Sequence, residues 1–130
     1  MSAAAYRNAL HQVATEESTA QHRVQRAFHA RTADQVRSAL TAFAADQRRV
    51  AQQLTALTPP SNAATANAQL ARAFNDNATA LESLLTKLRG AKTAKQALRV
   101  VQNDRQAQQV GGEIDSALNK LKRLGYTSGS

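Results

Sequence analysis

The sequence predicts an all-α protein, an antiparallel up-down-up-down four-helix bundle. Three observations carry that prediction. Apolar residues recur in alternating steps of four and three over four long runs, which holds them on one stripe of a packed helix. Two of those runs open on the same signature, Thr32-Ala33-Asp34-Gln35 and Thr93-Ala94-Lys95-Gln96. A threonine with a glutamine three residues on is a capping box, whose side chains satisfy N–H groups left free in the first helical turn. The strong breakers, Pro59-Pro60, Gly90 and Gly125, fall between or after the runs.

The first helix is predicted over about 3–30. Its stripe is Tyr6, Leu10, Val13, Glu17, Ala20, Val24 and Ala27, with Phe28 beside it. The second is predicted over about 33–57, on Val36, Leu40, Phe43, Gln47, Val50, Leu54 and Leu57. Pro60 disfavours an α conformation at Pro59 and stops it. The turn at Arg31 is short, so these two helices are antiparallel neighbours. A third helix over about 61–89 takes Ser61 as its N-cap and Gly90 as a left-handed closing residue. It carries Asn67, Leu70, Phe74, Asn77, Leu81, Leu84 and Leu88.

The fourth helix is predicted over about 94–124, on Leu98, Val101, Val110, Ile114, Leu118 and Leu121. Gly111-Gly112 lies inside it, where each glycine costs about 1 kcal/mol relative to alanine. That pair implies a kink or the close approach of another helix. Gly125 ends the run, and 126–130 reads as a frayed tail after one bundle domain spanning 1–125. The two capping boxes sit in matched segments, with Leu40 and Leu57 falling at the offsets of Val101 and Leu118. Either two hairpins descend from one unit, or a good helix start was used twice.

Composition narrows the function classes. The formal charge of +8 and the pI near 10.9 imply attraction to anionic partners such as nucleic acid, anionic lipid or acidic wall polymer. The absence of cysteine removes disulfides, thiolate metal sites and cysteine nucleophiles. No apolar run reaches the roughly 18 residues of a membrane span. Met1-Ser2-Ala3-Ala4-Ala5 lacks the basic and apolar regions of a signal peptide, so the chain is cytosolic or a leader has been removed.

Four candidate sites follow. Glu17, Gln47 and Asn77 fall on stripe positions near the middle of three helices, and Asp104-Arg105 near the middle of the fourth. Glu17 and Gln47 are nearly equidistant from the turn at Arg31, as Asn77 and Asp104 are from Gly90, so the topology draws them into a central polar layer. Such a layer either binds a small polar ligand or fixes the register of the packing. Metal is not expected: no Glu-x-x-His occurs, and His11, His22 and His29 lie on the outward side of the first helix. Catalysis is not expected either, because no nucleophile elbow or phosphate-cradling glycine loop is present and Glu16-Glu17 diverge on a helix.

The fourth candidate is a basic end. The two turns that follow the odd-numbered helices share one end of the bundle and gather Arg23, Arg26, Arg31 and Arg37 with Lys87, Arg89, Lys92, Lys95 and Arg99. Some of these complement helix C-termini, but Lys95 and Arg99 stand at a helix start, where the dipole disfavours them. The cap is suited to phosphates or headgroups. Without interleaved aromatics or a recognition helix, any nucleic-acid binding is expected to be non-specific.

Leu57-Thr58-Pro59-Pro60, the Leu81/Leu84/Leu85/Leu88 stripe and Leu121-Lys122-Arg123-Leu124-Gly125-Tyr126 resemble a loose group of Ala/Arg-rich, secreted or lipid-anchored helical-bundle proteins of actinobacteria. The resemblance covers mainly Val50 to Tyr126. It implies an extracytoplasmic place and brings no activity or cofactor with it. The expectation is therefore a non-enzymatic binding or structural domain that docks an anionic partner through its basic end. The alternatives are a ligand-sensing bundle with its site at the central polar layer, and a cytosolic nucleic-acid-associated protein.

Overall fold

The computed structural model describes residues 1–127, and they form an all-helical molecule. Five α-helices pack together: α1 Ala3–Gln25, α2 Ala33–Thr55, α3 Ala64–Lys87, α4 Ala94–Gln102 and α5 Arg105–Arg123. The α2–α3 pair is the most extensive contact, and α5 packs on α3 while α1 and α4 pack on α2. No helix among the described residues is long and apolar enough to cross a membrane.

The helix starts follow from their side chains. Ser2 Oγ accepts the Ala5 N–H at 3.1 Å and opens α1. Thr32 and Thr93 accept from Gln35 and Gln96 N–H, each at 3.1 Å, while those glutamines accept the Arg31 and Lys92 N–H groups at 2.8 and 2.9 Å. The two boxes are near copies. Each glutamine reaches one residue further back than the usual capping box, to the residue before the cap.

The chain departs from its sequence expectation at several places. The run 94–124 is not one helix: it breaks after Gln102, and Asp104 adopts an extended backbone whose carboxylate accepts the Gln106 and Ala107 N–H groups at 2.9 and 3.3 Å. Asp104 thus starts a second helix where continuous periodicity implied none, since an aspartate cap satisfies first-turn donors that a through-running helix would bond internally. Gly111-Gly112 neither interrupts the helix nor marks a close approach. Helix α5 runs through both, and a Cβ at either would meet nothing within 4 Å.

Ser61 does not cap α3. It begins a short 3₁₀ turn, Ser61–Ala63, after which α3 starts without a side-chain cap. Gly90 is not left-handed, because α3 closes through another 3₁₀ turn, Leu88–Gly90. Among the described residues the left-handed glycine is Gly125, at φ 84°. There the Tyr126 N–H donates to the Leu121 carbonyl and the Gly125 N–H to that of Lys122, closing α5 with a Schellman motif.

That motif turns Tyr126 inward, so the residue expected to begin a frayed tail is buried. Its ring meets Tyr6 edge-on at 5.2 Å between centroids, and its hydroxyl donates to Asn62 Oδ1 at 2.6 Å. Residues 128–130 of the expected tail lie outside the described residues.

The core divides into two clusters. One joins Tyr6, Leu10 and Val13 of α1 to Val50 and Leu54 of α2, Leu70 and Phe74 of α3, and Leu121 of α5. The other joins Val36 and Leu40 of α2 to Leu81, Leu84 and Leu88 and to Ala97 of α4. No α1 residue is buried in the second cluster, where Val24 only leans on the edge. The C-terminal half of α1 is therefore held to α2 without closing against α4 and α5.

Candidate functional site

The space left by that divergence is a groove of about 440 Å³. Val24 and Phe28 stand on one side, Leu98 and Val101 of α4 with Ala107, Ile114 and Leu118 of α5 on the other. Leu40 and Phe43 of α2 and Phe74 and Leu81 of α3 form the floor. Phe28 is 53% exposed at the rim. A wider depression of about 820 Å³ lies on the outer face of α2 and α3. Of the two arginines that line it, Arg48 is bonded to Glu82 and Asn75.

One short hydrogen-bonded chain crosses the floor of the groove. Gln47 is fully buried; its Nε2 donates to Glu17 Oε2 at 2.6 Å, and its Oε1 accepts from Asn77 Nδ2 at 2.7 Å. Gln21 Nε2 donates to the second Glu17 oxygen at 3.1 Å. Three of the five residues expected in a central polar layer thus meet, on α1, α2 and α3. Burial pushes the Glu17 carboxyl above the ordinary glutamate range; the bonds from Gln47 and Gln21 pull it partly back, and the nearby Asp46 raises it.

Asp104 and Arg105 do not join the layer. Counting from Gly90 treats the chain to Asp104 as helix paired with α3, but that stretch includes a non-helical turn and ends at a break. Asp104 spends one oxygen on its own helix, and its other lies 3.6 Å from Lys87 Nζ. Arg105 is exposed.

The basic end is smaller than the sequence implied. Arg23 is paired with the buried Asp46 at 3.0 Å, where Arg49 also binds. Arg37 donates to the Leu88 and Ala91 carbonyls at 2.8 and 3.1 Å and to Asp34, tying α2 to the end of α3. Lys87 faces Asp104. Arg23 and Lys87 thus reach acids well separated from them in sequence. Arg26, Arg31, Arg89, Lys92, Lys95 and Arg99 remain exposed, and none forms an ion pair among the described residues.

Sequence reasoning missed Phe28, Phe43, Ile114 and Asp115 as groove residues. A signal existed for Phe28, which sits off the apolar stripe of its helix. Nothing in periodicity places Asp115 there, because it depends on how far α1 swings from α5. The chain matches no family model, no curated protein and no solved structure.

Proposed function

We propose that the chain is a non-enzymatic ligand-binding bundle whose working site is the groove between α1 and α4–α5. In this reading α4 and α5 are two halves of one broken rod, and the architecture is an up-down-up-down four-helix bundle. The observation that carries it is an apolar groove with a bonded polar chain in its floor. Its volume falls in the range of about 300–1,000 Å³ usual for small-molecule sites, and a few convergent polar groups in an apolar wall are what such sites use. A bundle that needed the polar layer for register alone would close over it.

Filling the groove tests this. Ala107→Trp places a large ring between the walls at an incompletely buried position. Calorimetric titration with n-octanol should show binding to the native chain and at least a roughly tenfold weaker affinity in the variant, with unchanged helical circular dichroism. Octanol binding that the tryptophan leaves intact contradicts the groove as its site.

A second reading rests on the six exposed cations of the basic end, which form no ion pair among the described residues, as a patch for docking a phosphate backbone without sequence preference. Phosphate contacts release counterions, so binding of a DNA duplex by fluorescence anisotropy should weaken steeply from low to moderate salt. Charge reversal at Lys92, Lys95 and Arg99 together should abolish it. An anisotropy signal that ignores salt, or none at all, removes this reading.

A further inference from the structure

We propose that the ligand of this groove is an amphipathic cation, an apolar body carrying one ammonium group that stops against the Glu17 carboxylate. The inference rests on the groove being the working site and concerns the class of molecule it takes.

Three observations converge. None of the chain's 17 lysines and arginines lines the groove, whereas Glu17 and Asp115 both do. In a protein of net charge +8, this is a locally acidic pocket against a basic background. All three phenylalanines of the chain, Phe28, Phe43 and Phe74, border the same space. Aromatic faces attract cations through their quadrupole, most strongly where water is excluded, and this is how quaternary ammonium groups are commonly held.

The third observation is the state of Glu17. Its oxygens accept from two neutral amides and from no cation among the described residues. A carboxylate offers about four acceptor positions, so capacity remains on the groove side. A partly buried charge held only by neutral donors lacks the partner that would offset its desolvation, and a ligand ammonium supplies it.

The charged groups around Glu17 are few. From α2 comes Asp46, already ion-paired with Arg23 and Arg49; from α3 only the neutral Asn77; from α5 Asp115. Cation binding should therefore weaken as pH falls through the raised range in which Glu17 gains its proton.

The test is a calorimetric titration of the full chain with n-octyltrimethylammonium, n-octanol and octanoate, whose apolar bodies match. Global charge favours octanoate; the groove favours the reverse order, trimethylammonium tightest and octanoate weakest. Glu17→Gln should weaken trimethylammonium binding about tenfold more than it weakens octanol binding, with Asp115→Asn acting in the same direction more weakly. Because the trimethylammonium charge is permanent, its loss of affinity on acidification reports the protein's carboxylates.

Octanoate binding as tightly as trimethylammonium, or Glu17→Gln without effect on the cation, overturns the proposal. If octanoate binds as tightly as trimethylammonium and Ala107→Trp expels both, the groove stands and its cation preference falls. If no probe binds, or the tryptophan changes none of them, both fall.

Discussion

Tyr6→Ala should lower the stability of the fold by about 3–5 kcal/mol and the melting midpoint by roughly 10–20 °C. Tyr6 is fully buried, and its ring joins α1 to α2, α3 and α5 in one cluster. Its hydroxyl donates to Asn67 Oδ1 at 2.9 Å, and Asn67 Nδ2 donates in turn to the Leu54 carbonyl at 3.0 Å near the end of α2. Burial, with a smaller push from Tyr126, drives the Tyr6 hydroxyl up to about 12, so it stays a donor throughout the neutral range. Tyr6→Phe keeps the ring and should cost only about 1–2 kcal/mol, from the stranded acceptor on Asn67. Thermal unfolding of both variants separates packing from hydrogen bonding. An alanine variant no less stable than the phenylalanine one would mean that this end does not anchor α1.

The second large effect is expected at Gln47. Gln47→Leu leaves the Asn77 amide without its acceptor and Glu17 without its shortest donor, at an expected cost of about 2–3 kcal/mol. The pH dependence has a definite sign. Glu17 holds its proton more tightly in the folded chain than in the unfolded one, so its contribution favours folding at low pH and is lost as pH rises through its raised range. Removing the Gln47 donor raises that carboxyl further. The deficit of Gln47→Leu against the native chain should therefore be larger at about pH 7 than at about pH 4, on either side of the ordinary glutamate value. Denaturant unfolding at the two pH values measures it. A deficit that grows on acidification would show that Glu17 is not the group left unsupported.

Much of this frame was legible in residues alone. The boxes at Thr32 and Thr93 mark helix starts because their chemistry is local and complete within four residues. Glu17 and Gln47 could be paired by counting from the Arg31 turn because α1, prolonged by the 3₁₀ turn Arg26–His29, and α2 keep the chain helical on either side of it. The same count failed at Asp104, where a local cap outweighed the periodicity of the run. The adjacent Asn103-Asp104, both cap-forming types, was the available signal. Tyr126 was legible in half: Gly125 marked the helix end, but the inward turn it imposes on the next residue follows only from the left-handed closure. The groove itself was not legible. It arises because Tyr6, Leu10 and Val13 anchor one end of α1 among α2, α3 and α5, while Glu17 and Arg23 tie the other half to α2, and a stripe of evenly spaced apolar residues does not record how tightly each half is covered.

The most direct test of the groove as a binding site is amide chemical-shift mapping by NMR during titration with n-octanol. The account predicts saturable shifts on both walls, at Val24 and Phe28 and at Val101, Ala107 and Ile114, while Tyr6, Asn67 and Tyr126 at the other end stay still. Shifts scattered over the surface without saturation, or centred on the tyrosine end, would contradict it.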